Sequence, residues 1–207
     1  MKVESFVEQS TFMAWITRQT VVERWALPYT IKKENVSEHC HQVAVIAHLL
    51  CVIKNEKFGG ALNPHYAATL ALFHELSESK HQDLNSGTKY SDPALTEAFK
   101  RIEHLAEEQC VATLPEYLRD HYRGLIVQKE VDKEYKQLVK YADQIAAYMK
   151  AMHELKLGNL EFTHIREELE AKIIPSFERA PEVKEFMNVF CKAANANMEV
   201  IREATEV

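Results

Sequence analysis

Glycine and proline are scarce in this chain, five and six in 207 residues, and no segment alternates apolar and polar side chains long enough to build a strand. Their scarcity, with period-3.6 apolar patterns recurring from end to end, excludes a hairpin-rich fold and predicts an all-α one. No apolar run approaching the roughly 18 residues that span a bilayer is expected. The amino end, with Glu4 and Glu8, lacks the charged-then-apolar build of a signal peptide. The expectation is a protein neither exported nor embedded. Cysteines are few: Cys40, Cys51, Cys110 and Cys191 lie far apart, form no C-x-x-C pair and fall within helix-like apolar patterns, which points to reduced thiols and a cytoplasmic setting. Basic charge is in deficit too, with 25 Lys and Arg against 31 Asp and Glu, a net charge of −6. That balance argues against a polymeric nucleic acid as partner but leaves room for a local phosphate pocket.

What is present is helix. The length suits one core, so residues 1–207 are read as a single domain, a bundle of about seven to eight helices. A first helix is predicted over Val3 to Arg18, leading through Arg24 and Trp25 to Pro28. Asn35-Val36-Ser37-Glu38 is a helix start in which Asn35 caps and Glu38 reaches back. His39, Val43, Ile46 and Leu50 then follow at spacings of four, three and four, which puts His39 on the buried face. Asn63-Pro64 opens a third helix with Ala67, Leu70, Ala71, His74 and Glu78 on one face. Residues 79–90 lose the periodicity and read as a loop. Further helices start at Asp92-Pro93, Pro115, Asp132 and Phe162, and a last one runs from Pro181 through Phe190 to Ile201.

Chemistry gathers on three of these helices. His39, His74 with the adjacent Glu75, and Asp143 beside an apolar stripe each bring an imidazole or a carboxylate inward. Together they suit a divalent metal such as Mn, Fe, Co, Ni or Zn better than a thiol-loving one. Singly, each has a plain alternative: a histidine hydrogen-bonded in the core, or an aspartate at the edge of its stripe paired with Lys140. The run His74-Glu75-Leu76-Ser77-Glu78 is not a zinc-protease H-E-x-x-H, because Glu78 stands where the second imidazole belongs.

The order Arg24-Trp25, E-N-V-S-E-H ending at His39, K-F-G-G at Lys57 to Gly60, His74-Glu75 with Glu78, Asp83-Leu84, Lys89-Tyr90 and K-Y-A-D ending at Asp143 resembles the YfbR-like 5′-deoxyribonucleotidases of the HD-domain phosphohydrolase superfamily. L-P-E-Y-L-R-D at Leu114 to Asp120 and G-N-L-E-F at Gly158 to Phe162 extend the likeness. The resemblance implies hydrolysis of deoxyribonucleoside 5′-monophosphates by a homodimer holding one divalent metal, of Co, Mn, Zn, Ni, Fe or Mg. Its ligands would be His39, His74, Glu75 and Asp143. It implies further that Arg24 binds phosphate, that Trp25 helps exclude a ribose 2′-hydroxyl, and that Glu78 and Asp83 lie at the reaction centre; Lys89 is read as a substrate-binding candidate whose alternative is a solvated charge. Two alternatives stand beside it: a deoxynucleoside triphosphate triphosphohydrolase releasing tripolyphosphate, and a degenerate HD fold that binds a nucleotide or a protein without turnover. This chain departs from the family at Glu75, where the family has Asp, and at Asn85-Ser86-Gly87, where it tends to carry prolines.

Overall fold

A computed structural model describes residues 9–205. Among them every regular element is helical, and the one extended pairing is an isolated antiparallel bridge between Glu23 and Asn35. In chain order the α-helices are α1 (Phe12–Arg18), α2 (Val36–Phe58), α3 (Pro64–Phe73), α4 (Glu78–His81), α5 (Ser86–Lys89), α6 (Pro93–Ala112), α7 (Glu116–Ile126), α8 (Lys133–Lys156), α9 (Phe162–Ile173), α10 (Pro181–Phe186) and α11 (Met198–Glu203). The longer elements match the expected bundle; the additional ones are short turns. The part of the first predicted helix that includes Val3 and Phe6 lies outside the described residues.

Side-chain caps mark the starts of α2, α3, α6 and α8. At α2 the Asn35 side chain accepts from Glu38 N–H while the Glu38 carboxylate accepts from Asn35 N–H, a complete capping box. Asn63, Asp92 and Asp132 cap α3, α6 and α8 in the simpler way. At the other end of α2 the chain leaves through Gly59 at φ 69°, a left-handed position that glycine adopts without steric cost.

The main core lies between α2, α3, α8 and α10, and includes Val43, Ile46, Leu50, Leu70, Leu138, Ile145 and Phe186. A second cluster joins Phe12, Leu76, Cys110, Ile126 and Val127. Contrary to the expectation of no membrane-length apolar stretch, α2 is long and apolar enough, by length and composition alone, to cross a membrane. Half of that stretch is buried here, and its residues form the centre of the main core.

Two predicted helices are broken. The third stops at Phe73, and residues 74–77 form a turn in which Leu76 N–H bonds Phe73 O and Glu78 N–H bonds Glu75 O. Leu70 and Ala71 belong to the main core whereas fully buried Leu76 belongs to the second. A continuous α-helix could not serve both, and the tighter turn of about three residues re-aims the chain. The last predicted helix ends at Phe186, passes through a π-type turn over Met187–Cys191, and restarts only where Asn197 caps α11. Between them Asn195 is tied to α8, its carbonyl accepting from Lys156 Nζ and its amide donating to Met149 O at 3.4 Å. The segment expected as a loop contains the one-turn helices α4 and α5.

Candidate metal and phosphate site

His39 enters the site because the capping box starts α2 four residues before it, and the apolar stripe of that helix carries its ring inward until none of it is exposed. His74 is the C-cap residue of α3, at the seam between the two apolar clusters. Asp143 comes from the middle of α8. Three ligand atoms, one from each, lie within 4.8 Å of one another. His39 Nε2 is 3.0 Å from Asp143 Oδ1, yet neither nitrogen of His39 has a partner in hydrogen-bond geometry. His74 Nδ1 lies 2.7 Å from Ala71 O, so Nδ1 carries a proton, and Nε2 faces the site without a hydrogen-bond partner. Unpartnered buried imidazole nitrogens facing a carboxylate are what a cation with nitrogen and oxygen ligands requires, and the donor set fits a divalent metal.

The electrostatics agree for His39 and Asp143 but run the other way at His74: burial lowers it, yet Cys40, then Glu75 and Asp143, push it up to about 10, so a cation there would have to displace a proton. Burial and the nearby Arg24 guanidinium push His39 down to about 3, so it is neutral and able to ligate. Burial alone would raise Asp143, but His39, His74 and Arg24 hold it well below the usual carboxylate range. Glu78 moves the other way: burial, then repulsion from Glu75 and Asp83, raise it over the opposing pull of Arg24. One of its oxygens is buried without a partner. Asp143, Glu75 and Asp83 all act on Arg24, so even with Glu78 protonated the carboxylates outnumber the guanidinium until a cation enters.

Glu75 stands at the margin. Its Oε1 is 3.6 Å from His74 Nε2, but it is not part of the mutually close group. Beside the group opens a cleft of about 860 Å³, lined by Arg24, Trp25, Asp83 and Asp143 and by Ile165 and Leu169 of α9. Lys89 is directed elsewhere: its ammonium pairs with Glu103 and lies 5.2 Å from the Phe99 ring centre, and it does not line the cleft.

The sequence reading assigned nothing to the residues that hold the Arg24-Trp25 segment. Glu34 accepts from Trp25 Nε1 at 2.7 Å. Fully buried Glu154 accepts from Ile31 N–H at 2.8 Å, Lys32 N–H at 3.0 Å, Lys150 Nζ at 2.6 Å and Asn159 Nδ2 at 2.9 Å. Lys150 also donates to Lys32 O, and Asn159 donates to Tyr29 O. The available signals were Glu34 opening the E-N-V-S-E-H run and Asn159 inside G-N-L-E-F, each quoted without a role.

Among solved structures with this fold are two HD-domain phosphohydrolases. One from Listeria innocua aligns at a TM-score of 0.77 with 19% identity, covering 93% of this chain and 92% of that one. A cyanophage S-2L enzyme, DatZ, bound to dA and one catalytic Zn2+ ion, aligns at 0.58 with 18% identity, covering 86% and 95%. At these identities they define the fold. The narrower assignment comes from sequence: the 5′-deoxynucleotidase YfbR-like family model matches residues 11–194, and the chain belongs to that family. Among its relatives, the 5′-deoxynucleotidase of Vibrio vulnificus is 36% identical over 195 residues, 94% of this chain and 100% of the relative. YfbR of Escherichia coli is 39% identical over 197 residues, 95% and 98% of the two chains.

Proposed function

We infer that this chain, acting as one domain over residues 1–207, hydrolyses deoxyribonucleoside 5′-monophosphates to deoxyribonucleoside and phosphate with the help of one divalent metal ion. The observation that carries the reading is the convergence of unpartnered His39 and His74 with Asp143 at the edge of a cleft that also presents Arg24. His39, His74 and Asp143 would hold the metal, with Glu75 as the outermost ligand. When bound, the ion supplies acidification of water and screening of phosphate charge.

The chain's own residues do the rest. Arg24, with its side chain only 12% exposed, offers a pre-positioned guanidinium that fits two phosphate oxygens at once. Water adds to phosphorus and the ester P–O bond breaks, so the departing sugar oxygen needs a proton. Glu78, raised above the ordinary carboxylate range by burial and its acidic neighbours, retains one to give. Asp83 on the cleft wall orients the water or receives its proton. Trp25 closes the sugar end of the cleft against a 2′-hydroxyl. Lys89, paired with Glu103 and off the cleft lining, is assigned no substrate contact. Free thiols at Cys40, Cys51, Cys110 and Cys191 support a reducing, cytoplasmic setting. The homodimer implied by the family resemblance predicts a solution mass of twice 23.9 kDa by light scattering; a monomer mass would remove it.

Phosphate release settles the activity. Purified protein with added Mn2+ or Co2+ is expected to free inorganic phosphate from a deoxynucleoside monophosphate, and a His74→Ala variant to lose that release. Tripolyphosphate released from a triphosphate, with nothing from the monophosphate, would replace this reading with the triphosphohydrolase. Metal binding without any turnover would favour the binding module.

A further inference from the structure

Trp25 has φ 61°, a conformation that a bulky side chain holds only where its surroundings impose it. Glu34 supplies the constraint. Its Oε2 accepts from Trp25 Nε1 at 2.7 Å and lies 3.4 Å from Arg24 Nε. Its backbone oxygen accepts from Arg24 N–H at 3.0 Å, and the flanking residues Glu23 and Asn35 form the isolated bridge. The residue is 7% exposed, so these contacts are made with little competition from water.

We propose that Glu34 is the positioning residue that sets discrimination between deoxyribonucleotides and ribonucleotides, by holding the Trp25 indole through a hydrogen bond to the carboxylate oxygen that also faces Arg24 Nε as an ion pair without hydrogen-bond geometry. The inference rests on reading the cleft as a deoxynucleotide site. In a nucleotide the phosphorus and the 2′ carbon are held a few bonds apart. A guanidinium on the phosphate and a ring beside the 2′ carbon measure that separation only if their own spacing is constant. Phe162 packs against Trp25 with ring centres 5.4 Å apart at 58°, an apolar contact that is not directional and so does not by itself fix where the indole N–H points. The charge-assisted bond to Nε1 fixes it because that bond is directional. Glu34 is not one of the clustered metal-ligand candidates, so its effect on selectivity is separable from metal binding.

The test uses the full chain in a Trp15→Phe background, which leaves Trp25 as the sole indole because the protein has two tryptophans. In Glu34→Ala, the ratio of kcat/KM for a deoxyribonucleoside 5′-monophosphate over its ribonucleotide counterpart is expected to fall about tenfold, the scale of one charged hydrogen bond. Trp25 emission shifts to the red, while Mn2+ affinity by calorimetry stays at the parent value. Glu34→Gln, whose amide oxygen still accepts the indole N–H, restores most of the ratio and the emission. An unchanged ratio in folded Glu34→Ala overturns the inference. So does a fall in ratio matched by an equal loss of Mn2+ affinity, which marks general disruption. If the parent enzyme releases phosphate from neither sugar, the functional reading itself has failed and takes this inference with it.

Discussion

At position 75 the carboxylate ends a side chain one methylene longer than aspartate, which displaces the oxygens by roughly 1.5 Å, whereas metal–oxygen distances tolerate only about 0.2 Å. The geometry is consistent with a weak ligand, since Oε1 stands 3.6 Å from His74 Nε2 and outside the close group of three. In a calorimetric Mn2+ titration, Glu75→Gln is expected to weaken binding by a smaller factor than Asp143→Asn. Equal affinity to the parent would remove Glu75 from the site. Ligand types were readable because imidazole and carboxylate on apolar faces are chemically conspicuous. The use of Lys89 was not, since its partner Glu103 lies on another helix. Phe162 shows the same limit: the sequence marks it as an apolar helix residue, and only packing puts it against Trp25. Phe162→Ala, at a fully buried position, is expected to cost roughly 3–5 kcal/mol in chemical denaturation.

Helices α2, α3, α6 and α8 start where the sequence placed them because a cap is a local device, satisfied within three or four residues. Asn35→Ala removes the acceptor for Glu38 N–H at 2.9 Å. It is expected to lower stability by about 1 kcal/mol, and to weaken Mn2+ affinity as well, because His39 sits in the turn the cap organises. A stability loss with unaltered metal affinity would show that α2 packing alone positions His39. The break after Phe73 had no local signal. An α-helical continuation puts His74 and Glu78 about 40° apart around the axis, while three residues per turn separates them by about 120°. Each side chain therefore approaches the site from a different direction. What breaks the helix is the demand that Leu76 join a second cluster supplied by α6 and α7, and that demand exists only once those helices have packed.

Across the whole molecule Glu154 joins the 29–32 segment, about 120 residues earlier in the chain, to α8 and the turn at Asn159. Burial by itself would raise its carboxyl, but the Asn159 amide, Lys150 and the Ile31 and Lys32 N–H groups hold it down to about 2. A folded-state value below the ordinary 4.5 means that this stabilisation is fully present above the ordinary value and drains away as pH falls from there toward 2. Urea midpoints measured down that range should therefore decline more steeply in the parent than in Glu154→Gln, which has no proton to gain. Parallel slopes would contradict the assignment. The sequence by itself determined the helical class, most helix starts and the residue types able to bind a metal and a phosphate, because periodicity, caps and ligand chemistry are properties of short stretches. Tertiary structure alone decided that Glu34 meets Trp25 and Arg24, that Glu154 ties the 29–32 segment to α8 and Asn159, and that the third helix turns at His74. Each depends on buried charges and apolar faces meeting partners beyond their own helical turn, and the energy of such a pairing is set by which elements meet.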